Sequence, residues 1–157
     1  MAKEIERKFL VKTAAWKPQG PGVHFKQGYL NTQKERVVRV RIEGSKAKLT
    51  IKGVTTGVTR SEFEYVIPVE DASILLDNLC EKPLIDKHRH AEVNGGKTWE
   101  IDVFHGDNEG LVVAEIELGS ESETFVRPDW AGEEVSSDPR YFNSNLLKNP
   151  FKNWGKA

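Results

Sequence analysis

Charged and apolar residues alternate along several short stretches of this chain. In the N-terminal run EIERKFLV, Glu4, Glu6 and Lys8 occupy every second position, with Ile5 and Phe9 at positions of the opposite parity. A β-strand directs successive side chains to opposite faces, so this spacing predicts a strand with one charged and one apolar face. The same alternation occurs in VVRVRI, LTIK, TRSEFEYVI, KHR, TWEIDVF and VVAEIEL.

Turn-forming sequences separate these stretches and predict antiparallel hairpins. A further strand is predicted in HFKQGYLN, where Gln27, Tyr29 and Asn31 share one face. The turns contain Gly, Asn, Asp and Ser, and they lie at residues 43–45, 53–57, 94–96 and 106–110.

Helical patterns are fewer than strand patterns. Residues from about Val69 to Leu79 carry apolar residues at helical spacing before Pro83, with Asp71 as a start. Two shorter helices are predicted at Ser120–Val126 and Pro139–Leu147. We find no linker that would divide the chain, so residues 1–157 are expected to form a single domain.

Many short antiparallel strands in a small chain close most economically into a barrel, which removes exposed edges. We therefore predict a mainly β (α+β) fold: an eight-stranded antiparallel closed barrel with a few flanking helices. The alternative is that each charged face is an ordinary solvated surface with cross-strand ion pairs. Matching Arg and Glu pairs on so many strands favour a charged interior, with the apolar faces outside and covered by the helices. Such an interior must hold water and ligands, because a buried ion costs several kcal/mol in desolvation.

Composition restricts the kind of partner. The chain has 157 residues, 30% of them charged, with a formal net charge of −1, so any electrostatic function must be local and nucleic acid is not an expected partner. No apolar run approaches the roughly 18 residues of a membrane helix, and the N-terminus lacks the apolar core of a signal peptide. We expect a cytoplasmic protein without a membrane partner, in which the single Cys80 is a core residue.

The predicted charged faces carry both signs, and each sign suits a different ligand. Clustered Lys and Arg suit phosphate oxygens. Alternating carboxylates offer hard oxygen ligands for Mg²⁺ or Mn²⁺, which bridge phosphates in many enzymes, although ion pairing with the basic residues remains an alternative. The basic members are Lys8, Arg39, Arg41, Lys48, Lys52, Arg60, Lys87 and Arg89. The acidic members are Glu4, Glu6, Glu62, Glu64, Glu100, Asp102, Glu115 and Glu117.

These motifs, taken in order, resemble those of the CYTH domains, also called triphosphate tunnel metalloenzymes, of the short bacterial type. EIERKFLV resembles the family signature E-x-E-x-K-F, RVRI its arginine pair, and LTIK its tunnel lysine. R-S-E-F-E is similar to the mid-chain R-x-E-x-E strand, and Lys87-His88-Arg89 to K-x-R. EIDVF and AEIEL resemble the late acidic strands, and WAGEEVSSDPRYFN the C-terminal segment.

The resemblance implies an eight-stranded tunnel that binds a triphosphate and divalent cations, Mg²⁺ or Mn²⁺. Glu4, Glu6 and Glu117 would hold metal, with Glu115 and Asp102 assisting, while Glu62 and Glu64 are ambiguous between metal ligation and pairing with basic residues. Phosphate groups would bind the residues that match the family's basic positions and Arg60, which shares the same predicted face. The matching positions are Lys8, Arg39, Arg41, Lys52, Lys87 and Arg89.

The resemblance also makes Tyr29 the candidate for proton handling, paired with Lys8 as a second catalytic residue. A phenol with a pKa near 10 is a poor base unless a cation lowers that pKa. Packing before a turn is the alternative role for Tyr29. His88 and His90 have the opposite parity to Arg89 and are expected to face outward, and nothing in the sequence places His24 or His105 near the carboxylates.

The leading functional hypothesis is metal-dependent hydrolysis of inorganic tripolyphosphate, because the short chain has no additional segment for recognising a base. A class IV adenylyl cyclase or a thiamine triphosphatase is the enzymatic alternative. A noncatalytic polyphosphate or nucleotide sensor and a structural protein with ion-paired outer strands are alternatives of other classes. The expected partner is a small-molecule triphosphate, and a homodimer is one option for assembly.

Overall fold

The computed structural model describes residues 3–154, and antiparallel strands are its main regular structure. The two α-helices are short, and three single turns of 3₁₀-helix lie at Gly106–Asn108, Pro139–Tyr141 and Phe151–Asn153. The strands are β1 (Lys3–Val11), β2 (Val23–Asn31), β3 (Val37–Glu43), β4 (Lys46–Lys52), β5 (Thr59–Ile67), β6 (Ile85–Asn94), β7 (Lys97–Phe104), β8 (Val112–Glu117) and β9 (Ala131–Glu134). The helices are α1 (Val69–Asn78) and α2 (Asn143–Leu146).

Strand β1 closes the barrel. The strand order is β5-β4-β3-β2-β6-β7-β8-β1, and β1 also pairs with β5, which places Glu4 opposite Arg60. All these pairings are antiparallel. The predicted eight-stranded closed barrel is therefore confirmed. A ninth strand, β9, pairs with the second half of β1 through Phe9 and Val11, and the sequence pattern did not predict it.

The barrel is inverted, with charges inside and apolar side chains outside. On β1, Glu4 and Lys8 are buried and line the interior, whereas Phe9 packs on the outer side against Trp99 at 5.6 Å between ring centroids. Trp99 in turn packs edge-on against Trp130 at 5.4 Å. The outer apolar face therefore buries much of the hydrophobic surface of this fold. A further apolar cluster fills one end of the barrel, where Tyr29, Val37 and Phe104 share the inward parity and pack with Tyr141 and Leu146 of the C-terminal segment.

Helices cover only part of that outer face. Helix α1 packs Ala72 and Leu76 against Val40 of β3 and Ala47 of β4. Around β1, β7 and β8 the cover comes from β9 and loop residues, including Trp130. On β5 the outward Phe63 and Tyr65 remain 46% and 56% exposed, so the prediction that helices cover the outer face is wrong here. Within residues 3–154, no helix has the length and apolarity needed to cross a bilayer.

The helix predictions are right in part. Helix α1 occupies the predicted position but ends at Asn78, so Cys80 lies just beyond it and is buried as expected. Residues 120–126 form a loop rather than a helix, because the Glu123 carboxylate accepts a hydrogen bond from Gly119 N and pairs with Lys97 of β7. The predicted helix at residues 139–147 is divided into a 3₁₀ turn and α2.

Candidate functional site

Three adjoining cavities form a tunnel through the barrel. The first, which we call the acidic mouth, has a volume of about 220 Å³ and a rim that includes Glu43, Glu64, Glu100 and Glu117. The central chamber, of about 70 Å³, shares Glu4, Glu6, Arg39 and Lys52 with it. The second mouth, of about 280 Å³, shares Arg60 with the central chamber and opens between the β2–β3 loop, the β4–β5 loop and the C-terminal segment, residues 136–147.

Two carboxylates of the acidic mouth face each other without a cation between them. Glu6 of β1 lies directly opposite Glu117 of β8 in the strand register. Among residues 3–154, neither carboxylate has a Lys, Arg or His partner within salt-bridge distance. Burial together with the charges of Glu115 and Glu4 raises the pKa of Glu6 well above its usual value. A cation bound beside Glu6 and Glu117 would displace the proton that the raised pKa favours on Glu6, because metal ligands bind in their deprotonated form.

The neighbouring carboxylates, Glu4 and Glu115, are already compensated by cations. Glu4 accepts hydrogen bonds from Lys52 Nζ at 3.1 and 3.2 Å to its two oxygens. Burial alone would raise the pKa of Glu115, but Lys8, Arg89 and Lys87 hold it well below its usual value. A hydrogen bond from Glu6 also lowers that pKa, so the raised pKa of Glu6 and the lowered pKa of Glu115 describe one shared proton.

Lys8 projects into the central chamber as an ammonium group. Its Nζ lies 3.5 Å from Glu115 Oε1 and donates a hydrogen bond to the Tyr141 carbonyl oxygen at 3.0 Å. Burial lowers the pKa of Lys8, but Glu115 and Glu6 raise it by more, and the result lies above the usual value. Lys8 is therefore charged at neutral pH and is held between β8 and the C-terminal segment.

Asp102 is buried between two cations. Arg89 Nε and Nη2 donate to its two oxygens at 2.7 and 2.9 Å, and Lys87 Nζ donates to Oδ2 at 2.7 Å. Burial would raise the pKa of Asp102, but Arg89 and Lys87 lower it to about 2. Burial and the nearby Arg89 lower the pKa of Lys87 to about 7 despite Asp102, because the two cations share one carboxylate. Asp102 thus positions Arg89 and Lys87, and its oxygens are engaged.

Two guanidinium groups flank one aromatic ring. Arg41 and Arg89 lie 4.8 and 4.9 Å from the centroid of the Phe25 ring, within the range of cation–π contacts. Arg41 Nε also donates to Gln27 Oε1 at 2.8 Å. Burial and repulsion from Arg39 and Arg89 lower the pKa of Arg41 to about 10. These contacts hold two like charges close together, an arrangement that a polyanion would stabilise.

Strands β4 and β5 contribute paired charges to the same wall. Lys52 Nζ is 3.3 Å from Glu62 Oε2, and Glu64 lies 3.5 Å from Lys48 Nζ and 3.7 Å from Arg39 Nη2. For both ambiguous glutamates, the observed contacts are therefore ion pairs with the basic residues. Arg60 differs, since its Nε is buried without a hydrogen-bond acceptor among the described residues.

Tyr29 and Lys8 line the same chamber without a hydrogen bond between them. Instead, Tyr29 Oη accepts a hydrogen bond from Gln27 Nε2 at 3.1 Å. Burial raises the pKa of Tyr29, although Arg39, Arg41 and Lys8 offset part of that effect. The phenol is therefore protonated at neutral pH and is suited to donate a proton rather than to accept one.

The carboxylates of the acidic mouth fit a hard divalent cation whose remaining coordination positions are filled by water and substrate phosphates. No three His, Cys, Asp or Glu side chains in residues 3–154 are gathered closely enough to hold a metal ion by themselves. Mg²⁺ in enzymes is commonly bound by one or two carboxylates, with water and substrate phosphates as the other ligands. Glu6 and Glu117 supply such carboxylates next to the basic wall.

Several tunnel residues were not predicted. Phe25 has the same parity as Gln27 and Tyr29, so the alternation in HFKQGYLN could have identified it. Thr50 lies inside β4, donates to Glu64 and accepts a hydrogen bond from Arg39. Asn143, whose Oδ1 lies 3.5 Å from Lys87 Nζ, comes from a distant part of the chain, and no local pattern indicated it.

The histidines lie outside the tunnel, as the parity of His88 and His90 predicted. His88 Nδ1 and His105 Nε2 are 2.7 Å apart. His24 Nε2 lies 2.8 Å from Asp86 Oδ1, so His24 does contact a carboxylate, but not one that lines the tunnel.

Known proteins share both the sequence and the fold. A family model described as CYTH domain matches residues 2–146. The chain belongs to the CYTH domain family. An inorganic triphosphatase of Acetivibrio thermocellus is 53% identical to this CYTH domain over 154 residues, covering 98% of this chain and 99% of the relative. An inorganic triphosphatase of Nitrosomonas europaea is 37% identical over 149 residues, covering 91% and 95%.

Solved structures agree with this assignment. A crystal structure of an inorganic triphosphatase superposes on this CYTH domain with a TM-score of 0.65 and 34% identity, covering 94% of this chain and 95% of that one. A putative adenylate cyclase from Bacillus halodurans reaches a TM-score of 0.59 at 15% identity, which shows the fold alone.

Proposed function

We propose that this protein hydrolyses inorganic triphosphate with the help of a divalent cation. The observation that carries the proposal is the pair Glu6 and Glu117, two carboxylates that have no cationic partner among residues 3–154, beside a wall of Lys and Arg. Two relatives that match nearly the whole chain are inorganic triphosphatases, which supports the predicted activity. A cytoplasmic location, a homodimer and a single domain over residues 1–157 stay predictions.

We assign the metal to the acidic mouth and the phosphates to the basic wall. Glu6 and Glu117 would be the main ligands of Mg²⁺ or Mn²⁺, with Glu4 and Glu115 next to them. Asp102 would act indirectly, by positioning Arg89 and Lys87. The groups that would bind phosphate oxygens are Lys8, Arg39, Arg41, Lys52, Arg60, Lys87 and Arg89.

The chemistry follows from this arrangement. When bound, the cation would neutralise phosphate charge and help orient water for in-line attack. The water oxygen attacks a terminal phosphorus, the bond from that phosphorus to the bridging oxygen breaks, and the products are orthophosphate and diphosphate. Lys8 and the arginines stabilise the charge that develops on the phosphate oxygens. Tyr29 would donate a proton to the departing oxygen and regain one from solvent, to which the attacking water loses its proton.

A product-resolved assay tests the proposed function. Tripolyphosphate, ATP and thiamine triphosphate are each incubated with Mg²⁺ or Mn²⁺, and the products are identified by ³¹P NMR. We expect orthophosphate and diphosphate to form fastest from tripolyphosphate. Formation of cyclic AMP without tripolyphosphate hydrolysis would indicate a cyclase. Tight tripolyphosphate binding in calorimetry without turnover in either metal would indicate a sensor.

Glu6→Gln should weaken metal binding and stabilise the metal-free protein. We expect the affinity for Mn²⁺, measured by titration calorimetry, to fall by about 10- to 100-fold. The free energy of unfolding in EDTA should rise by about 1 kcal/mol, because the substitution removes a buried carboxyl group that the carboxylates of Glu115 and Glu4 repel. The exposed Glu109→Gln is the control and should change neither quantity. Unchanged Mn²⁺ affinity in Glu6→Gln would exclude Glu6 as a ligand.

Tyr29→Phe tests the proton donor. We expect kcat for tripolyphosphate to fall by about 100-fold with little change in KM, because only the proton transfer is lost. The free energy of unfolding should fall by about 1–3 kcal/mol, because the buried Gln27 Nε2 loses the hydroxyl that accepts its hydrogen bond. Tyr65→Phe, on an exposed tyrosine of the outer face, is the matched control. A kcat in Tyr29→Phe equal to that of the control would leave Tyr29 with a packing role only.

A further inference from the structure

The two ends of the tunnel differ in charge. The acidic mouth is lined by carboxylates from β1, β3, β5, β7 and β8. The residues that line the second mouth include Lys34 and Arg60, and in the part of the chain that the structure describes they include no Asp or Glu. A cation-bearing phosphate therefore suits the acidic mouth, whereas an anion without its metal suits the second mouth.

Arg60 stands at the inner end of the second mouth with its guanidinium uncommitted. It lines both the central chamber and the second mouth, and its Nε is buried without an acceptor. Within residues 3–154 it has no carboxylate within salt-bridge distance, in contrast to Arg41 and Arg89. A planar guanidinium in this state matches the oxygens of a phosphate, which it can bind through two parallel hydrogen bonds.

The remaining lining provides neutral hydrogen-bond donors and a limited volume. The hydroxyl-bearing residues Thr55, Ser137 and Ser144 line the second mouth. Asn145 also lines it, but its amide nitrogen already donates to the Pro139 carbonyl oxygen. The volume of about 280 Å³ is just below the roughly 300–1,000 Å³ of typical pockets for drug-sized ligands. The cationic Arg60 and these hydroxyl groups suit the oxygens of a phosphate group.

We propose that the second mouth is an anion subsite that binds orthophosphate without metal and through which this product leaves. The role in product release rests on the proposed hydrolysis of triphosphate, whereas orthophosphate binding does not. After cleavage, an orthophosphate next to Arg60 reaches solvent through the second mouth without passing a diphosphate held with the cation at the acidic mouth. Lys34, exposed on the rim, extends the positive potential outward.

The anion subsite is tested by orthophosphate binding in EDTA, followed by titration calorimetry. Lys34→Glu should weaken binding by about three- to tenfold, because it reverses a charge at the rim of the subsite. Lys46→Glu is the matched control, since Lys46 is also exposed but lies at the start of β4, opposite Glu43 of the acidic mouth. Equal affinities in the two variants would overturn the subsite, as would the absence of metal-free orthophosphate binding in the unmodified protein.

Product release is tested by narrowing the second mouth. Val54 is 51% exposed and lines it, so Val54→Trp adds bulk there. We expect kcat for tripolyphosphate to fall by about fivefold while the single-turnover rate is unchanged, which would produce a burst of product. Val126→Trp is the control, because Val126 is 63% exposed and lines none of the three cavities. Turnover in Val54→Trp equal to that of the control, without a burst, would overturn this exit.

These two tests separate the inference from the proposed function. Orthophosphate binding in EDTA without hydrolysis of any triphosphate would support the anion subsite and contradict the proposed function. Hydrolysis of tripolyphosphate without orthophosphate binding in EDTA would support the proposed function and contradict the anion subsite.

Discussion

Lys8→Met should reduce the turnover of tripolyphosphate by about 10³-fold, the upper end of what one charge-stabilising donor supplies in other enzymes. Lys8 is the buried ammonium of the central chamber, and Glu115 and Glu6 keep it protonated. Methionine retains most of the length of the side chain but removes the charge that would stabilise developing negative charge on phosphate. Turnover is measured as orthophosphate release at saturating metal.

The matched control for Lys8→Met lies at the end of the same strand. Lys12 is exposed just beyond β1, so Lys12→Met removes the same charge outside the tunnel and should leave turnover unchanged. Thermal unfolding of both variants distinguishes loss of chemistry from loss of fold. A folded Lys8→Met variant with turnover within about threefold of the unmodified protein would contradict the proposed role of Lys8.

Asp102→Asn should have the largest effect on stability. The substitution leaves Lys87 and Arg89 buried without the carboxylate they share, and breaking such a pair typically costs about 3–5 kcal/mol. Lys87, whose pKa burial and Arg89 have already lowered to about 7, would then be expected to lose its proton. The free energy of unfolding is measured with denaturant at pH 7.

Asp138→Asn is the control for this experiment. Asp138 forms a surface ion pair with Arg140 at 2.8 Å, so its loss should cost less than about 1 kcal/mol. An equal loss in the free energy of unfolding for the two substitutions would mean that the buried ion pairs of Asp102 stabilise the protein no more than a surface ion pair does.

The pH dependence of stability provides a second readout for Asp102. In the folded protein the pKa of Asp102 lies at about 2, below its usual 3.8. A carboxylate whose pKa is lowered by folding stabilises the folded protein fully when the pH is above its pKa in the unfolded chain. This stabilisation is lost as the pH falls towards its pKa in the folded protein. The unmodified protein should therefore lose this contribution between these two values, whereas Asp102→Asn has none to lose. Parallel stability curves for the two proteins across this range would contradict the assignment.

Alternation predicted the orientation of each strand well, because strand parity is a local property. Glu4, Glu6 and Lys8 share a face whatever the partner strands are. Parity also placed His88 and His90 outside. Strand β9 was not predicted, since it has only four residues, and it is held by pairing with β1 rather than by its own pattern.

The state of each carboxylate was not predictable in the same way. Glu6 and Glu4 have the same spacing and chemistry in the sequence, yet Lys52 compensates Glu4 while Glu6 faces Glu117. Similarly, Asp102 resembled a metal ligand in TWEIDVF, but its two oxygens are occupied by Arg89 and Lys87. These differences depend on the register between strands that are far apart in the chain.

The sequence by itself determined the family, the closed barrel and the inward direction of its charges. The reason is that side-chain alternation is a local property of each strand and the order of the motifs can be read directly along the chain. Only the tertiary structure decided which charged side chains form ion pairs and which do not. Among residues 3–154, Glu6, Glu117 and Arg60 have no partner within salt-bridge distance, while Asp102 and Glu4 are paired with cations. The physical reason is that an ion pair is decided by distances of a few ångströms between strands, and closure of the barrel sets those distances.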